Sequence, residues 1–108
     1  MKVTSEVESS MQIVKVSLKG LDSISLYRSN SKSLTETSAT IMKMIDLSKA
    51  TLITGDLNIC LIKNPSNIIT TTLEGLGFKQ LIDKATHILG KVYRITLIKV
   101  KYLIFYYL

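Results

Sequence analysis

Apolar and polar positions alternate cleanly over LDSISLYR, residues 21–28. Ile24, Leu26 and Arg28 fall on one face of an extended chain, and Ser23, Ser25 and Tyr27 on the other. The preceding MQIVKVSL, residues 11–18, is less regular. Val14, Val16 and Leu18 share one face, while Lys15 and Ser17 share the other with Met11 and Ile13. Its β-branched residues still favour a strand. Lys19-Gly20 lies between the two runs as a turn signal, so the pattern predicts a β-hairpin.

The period changes after SNSKS, residues 29–33, which read as a loop. Ser33 and Glu36 have capping-box spacing, and a helix is predicted to start there with Leu34, Ile41, Met44 and Ile45 as its apolar stripe. Met42 and Met44 are read as packing residues. ATLIT, residues 50–54, is a short strand apolar on both faces, the mark of a central strand covered on both sides. Asn64 and Pro65 read as N-cap and first residue of a second helix, with Ile68, Ile69, Thr72, Leu73 and Leu76 buried and Gly75 or Gly77 at its end. FKQLI, residues 78–82, is a further short strand, followed by a polar turn at DKATH. Residues 1–10 are polar and are assigned no element. Hairpin, helix, strand, helix, strand predicts an α/β fold with a mixed sheet.

With 108 residues, 46% hydrophobic and 20% charged, the chain is expected to form one small globular domain. No repeat or linker marks a boundary. Met1 to Ser10 lacks the apolar core of a secretory signal. Cys60 is the sole cysteine, which excludes an internal disulfide and fits a reducing, intracellular setting, nuclear or cytoplasmic. It is read as a small core residue. The apolar C-terminus VYRITLIKVKYLIFYYL is broken by Arg94, Lys99 and Lys101. It falls short of the ~20 apolar residues a spanning helix needs, so no membrane partner is expected.

The net charge of +6 suggests an anionic partner. Its distribution weakens that inference. Residues 1–83 carry nine basic and eight acidic side chains, and residues 84–108 carry five basic and none acidic. A solvated flank and a nucleic-acid contact account equally well for the tail.

The segment with most chemical content is ATLITGDLN, residues 50–58. An apolar strand is expected to stop at Gly55, and Asp56 and Asn58 follow two residues apart. In layered α/β folds functional groups collect where loops leave strand ends. An aspartate there can hold a divalent cation or accept a proton from an attacking water. An asparagine beside it can orient that water or a phosphate oxygen. The pair suits metal-assisted hydrolysis of a phosphate ester. The competing reading is that the two residues only build an Asx turn.

LITGDLN, together with YRSN (residues 27–30) and GFKQLIDKATHILG (residues 77–90), resembles the endonuclease/exonuclease/phosphatase superfamily. The closest likeness is to the endonuclease domain of non-LTR retrotransposons. It runs from about Met11 to Gly90 with the three motifs in order, so residues 11–90 are read as a partial domain of that type. The resemblance implies a four-layered α/β sandwich with a mixed, largely antiparallel sheet. It also implies Mg2+-dependent cleavage of DNA phosphodiesters. By resemblance, Asp56 positions or activates the attacking water, Asn58 holds the phosphate or the water, and Tyr27 lies near the scissile phosphate. Thr86-His87 matches a turn preceding a strand, so His87 is not the family's catalytic histidine.

The likeness breaks at both ends. Nothing upstream of Met11 matches the family's asparagine and metal-binding glutamate, and Glu6 and Glu8 lack that context. Arg94-Ile95 stands about where the family carries an Asp-His pair, and a later Ser-Asp-His segment has no counterpart. A guanidinium in place of a carboxylate reverses the charge and cannot assist a cation. Codons CGG-ATC-ACN for Arg94-Ile95-Thr96, shifted by two bases, read Asp-His, so residues 91–108 are read as a divergent, frameshifted tail. Three functional expectations follow in rank order. The first is a remnant of a retroelement endonuclease, inactive alone. The second is a non-catalytic nucleic-acid-binding or interaction module. The third is a phosphoesterase completed by dimerisation. Half a sandwich also leaves sheet edges uncovered, so self-association through them is expected.

Overall fold

The computed structural model describes residues 1–59, 64, 66–80 and 94–99, the last as backbone. Its elements in chain order are β1 (Lys2–Glu8), β2 (Met11–Leu18), β3 (Leu21–Arg28), α1 (Leu34–Met44), β4 (Ala50–Asp56), α2 (Ile68–Gly75), β5 (Lys79–Gln80) and β6 (Arg94–Lys99). They form one mixed sheet in the order β1-β2-β3-β4-β6-β5. Only β3 and β4 pair in parallel; the other pairings are antiparallel. The predicted α/β fold with a mixed, largely antiparallel sheet is therefore present, as two layers: this sheet and the two helices.

The hairpin forms as the alternation predicts. Leu18 pairs with Leu21 across Lys19-Gly20. Gly20 has φ 80°, the value a type II turn requires at its third residue. On β3, Ile24, Leu26 and Arg28 are buried and Tyr27 is exposed. On β2 the buried face is that of Met11 and Ile13, which Lys15 shares. Lys15 is tolerated there because its Nζ donates to the Met44 carbonyl at 2.8 Å. A cation at the C-terminus of α1 meets an acceptor without an intrahelical partner and the negative end of the helix dipole.

Ser33 caps α1 as expected: its side chain accepts from the Glu36 amide at 3.0 Å, and its hydroxyl also bonds Glu36 Oε1. Ile41 and Met44 enter the core. The second helix differs from expectation. It begins at Ile68, capped by Asn67, whose side chain accepts from the Thr70 amide at 3.0 Å, rather than at Asn64-Pro65. Starting there turns Ile69, Thr70 and Leu73 inward and leaves Ile68 exposed. The helix ends in a Schellman arrangement. Gly77, φ 96°, donates to Glu74 O, and Phe78 donates to Leu73 O, both at 3.0 Å. Leu73 and Phe78 then pack in the same core cluster.

Two segments given no strand by pattern are strands. Residues 2–8 pair with β2 along their whole length, from Lys2 opposite Ser17 to Glu8 opposite Met11. Within the tail, Arg94–Lys99 inserts between β4 and β5. Cys60, Pro65, the DKATH turn with His87, and tail residues outside 94–99 lie outside the described residues.

The core cluster is Met11, Ile13, Ile24, Leu26, Ile41, Met44, Ile53, Leu57, Ile69, Leu73 and Phe78. Its sheet residues lie on one face, against α1 and α2. The other face carries Val3, Val7, Leu18, Leu21 and Tyr27, all exposed. An ion pair between a partly exposed lysine and a buried aspartate closes the far end of the sheet from Asp56. Lys49 Nζ lies 2.6 Å from Oδ1 of Asp22, a residue only 1% exposed.

Candidate functional site

The parallel pairing of β3 and β4 decides the geometry of the GDLN segment. It sets Leu26 beside Gly55 and Tyr27 beside Asp56. Both strands run toward the same end of the sheet, so phenol and carboxylate leave it together, at the carboxyl ends where α/β sheets carry ligands. The antiparallel pairings extend the row. Gln12 stands opposite Tyr27, and Arg94 stands opposite Asp56 in register. An amide, a phenol, a carboxylate and a guanidinium residue thus occupy one register row across four strands.

Gly55 and Asp56 lie inside β4, which runs two residues beyond the expected stop. Glycine is required at 55 by close approach. A Cβ there would lie 2.8 Å from the Leu26 carbonyl carbon and nearer still to its oxygen. Leu57 follows, fully buried in the core, and pins the strand end. The chain then turns at Asn58, φ 54°, the one non-glycine residue with positive φ among the described residues. Asparagine tolerates that conformation better than most residues.

The Asp56 carboxylate shapes this turn. Its Oδ1 accepts from the Asn58 amide at 2.8 Å. The Asx turn weighed from the tetrapeptide is therefore real. It does not exhaust the carboxylate, which has two oxygens and about four acceptor sites. Asp56 and Asn58 are linked by this bond, and Tyr27 is brought to Asp56 by strand pairing alone.

The YRSN segment is held from beneath. Arg28 is 6% exposed, and its Nη1 donates to the carbonyls of Ser29 at 2.9 Å and Lys32 at 2.8 Å. Burial lowers its pKa. The Ser29 amide donates to Ser10 O at 2.8 Å. Lys32 joins the cluster through Glu8 at 2.5 Å and Glu36 at 3.1 Å. These two carboxylates hold the Lys32 pKa above its ordinary value. Arg28 as an anchor of this loop escaped the site reading, although its place on the Ile24–Leu26 face was the signal for it.

Among the described residues no three His, Cys, Asp or Glu side chains converge as a metal-binding group. Mg2+ favours about six oxygen ligands and keeps several waters, so one carboxylate beside one amide is a thin donor set for it. Glu6 and Glu8 lie on β1, two strands removed from Tyr27, and Glu8 already holds Lys32. No helix among the described residues is long and apolar enough to cross a membrane. No protein-family model, curated protein or solved structure matches the chain.

Proposed function

We propose that this chain is a fragment of a metal-dependent phosphodiesterase domain of the retrotransposon endonuclease type, inactive on its own. The register that sets Tyr27 beside Asp56 on parallel strands, with Asn58 tied to Asp56 through its backbone amide immediately after, carries the reading. In an intact domain Asp56 would position the attacking water, Asn58 would steady the phosphate or that water, and Tyr27 would lie by the scissile phosphate of DNA. The sheet and its helical layer would be two of the four layers of a sandwich.

Loss of activity is supported by the opposite strand. Arg94 faces Asp56 in register, at the position where the resemblance calls for a carboxylate. The row therefore lacks the second carboxylate that the resemblance implies. Purified chain incubated with supercoiled DNA and Mg2+ is expected to produce no nicks. Nicking that Asp56→Ala abolishes would overturn the inactive assignment and favour a site completed between copies. The ancestry has its own test, the nucleotide sequence from the Gly90 codon onward read in three frames. Another frame encoding Asp-His and then Ser-Asp-His is the expected result; its absence removes the frameshift.

One observation favours a second reading, DNA binding without cleavage: β6 brings Arg94 and Lys99 into the sheet. In that case Lys99→Ala lowers the slope of log affinity against log salt by about one counterion.

A further inference from the structure

The two edges of the sheet differ. Among the described residues the β5 edge spans two residues. The β1 edge is seven residues long and extended throughout, with the sequence KVTSEVE. Edge strands are usually blunted by charged side chains, proline, a bulge, brevity or a covering element, because their outward N–H and C=O groups template pairing with another chain. The charges of β1, Lys2, Glu6 and Glu8, are of both signs and so can complement a second copy. Strand β1 has no proline, and its pairing with β2 runs without interruption, so it has no bulge.

We propose that β1 pairs antiparallel with β1 of a second copy of this chain, about a two-fold axis through Ser5. This is the one register in which all seven residues are paired. It sets Lys2 opposite Glu8 of the second copy, Val3 opposite Val7, Thr4 opposite Glu6, and Ser5 opposite Ser5. The junction thus holds two opposite-charge pairs, one at each end. The valines, 57% and 68% exposed in the single chain, cover one another on the face away from the helices. A slip of two residues in one direction sets Glu6 against Glu6, which is repulsive. A slip in the other direction loses both Val–Val pairs and leaves Glu8 unpaired. The axis stands normal to the sheet, so the helices of both copies lie on the same side and the two sheets become one. Closed two-fold pairing consumes the β1 edge of both copies.

The pairing is independent of whether the GDLN end of the sheet cleaves phosphodiesters. The test is sedimentation of the full chain over a range of concentrations, with Lys2→Glu and Glu8→Lys made singly. Each single variant sets like charges opposite one another at both ends. Its self-association should weaken roughly tenfold, the scale of two cross-strand charge pairs turned repulsive. Mixing the two variants restores opposite charges at both ends, and a heterodimer of wild-type affinity should form. Both residues are exposed, but Glu8 also pairs with Lys32 within its own copy, so Lys2→Glu is the cleaner variant and circular dichroism checks that Glu8→Lys keeps its fold. As a second measurement, hydrogen exchange of the β1 amides should slow as concentration rises. A wild-type chain that stays monomeric overturns the pairing. So does association that the charge variants leave unchanged, or a mixture that fails to recover.

Discussion

Gly55→Ala is the sharpest test of the strand register that builds the candidate site. The new methyl would stand 2.8 Å from the Leu26 carbonyl carbon and 3.0 Å from Leu26 Cγ. The nearest obstacle is backbone, so a side-chain rotation cannot relieve it. Overpacking of this kind costs about 1–3 kcal/mol. The backbone angle of φ 156° adds a conformational cost of order 1–3 kcal/mol for a residue with a Cβ. Together they predict a loss of about 2–6 kcal/mol, out of the 5–15 kcal/mol typical of a whole domain. Gly20→Ala is the internal control. Gly20 also has positive φ, but nothing lies within 4 Å of its added Cβ. Its cost is backbone strain alone, about 1–2 kcal/mol. Urea denaturation followed by far-ultraviolet circular dichroism compares the two, provided the slopes match that of the wild type. Gly55→Ala should shift the midpoint two to three times as far as Gly20→Ala, on the ratio of those costs. Equal shifts would refute the close approach of β4 to β3, and with it the pairing of Tyr27 and Asp56.

Lys49→Met should destabilise by about 3 kcal/mol, the low end for stranding a buried carboxylate, because the quarter-exposed lysine site admits water to Asp22. Adding Asp22→Asn should recover part of that loss, and an additive double variant would contradict the ion pair. Acid stability offers a further check. Glu36 is held below 4.5, first by its hydrogen bond to Lys32, and Asp46 below 3.8, first by its bond to the Ser48 hydroxyl. Their contributions are complete above those ordinary values and disappear as pH falls through the depressed ones. The pKa of Lys32 is raised above 10.5, chiefly by Glu8 and then Glu36, so its share is complete below 10.5 and disappears as pH rises through the raised value. Lys32→Met should therefore flatten both limbs of the stability–pH profile, and an unchanged profile would remove the cluster from the account.

Local chemistry made much of this fold legible. Clean alternation over residues 21–28 identified the buried face of β3, Arg28 included, because period two is a property of one strand. The Ser33–Glu36 spacing located the start of α1, because a cap is satisfied within four residues. The Asp56–Asn58 turn was readable for the same reason. The start of α2 was read at Asn64-Pro65, and the helix begins instead after Asn67, which is as good a cap. Packing settled the choice, with the start at Ile68 turning Ile69 and Leu73 toward the core.

Other features depended on partners distant in the chain. Residues 2–8 carry little apolar content, and they become a strand because β2 offers an open edge. The irregular alternation of β2 left its inner face undecided until α1 placed the Met44 carbonyl within reach of Lys15. Arg94–Lys99, read as an out-of-frame tail, pairs with both β4 and β5. Above all, Asp56 was a candidate from its own segment and Tyr27 from the resemblance of YRSN, but neither carried their adjacency. Tyr27 and Asp56 meet only because α1 returns the chain to lie parallel to β3, and lateral strand pairing is a choice among distant segments that no local pattern encodes.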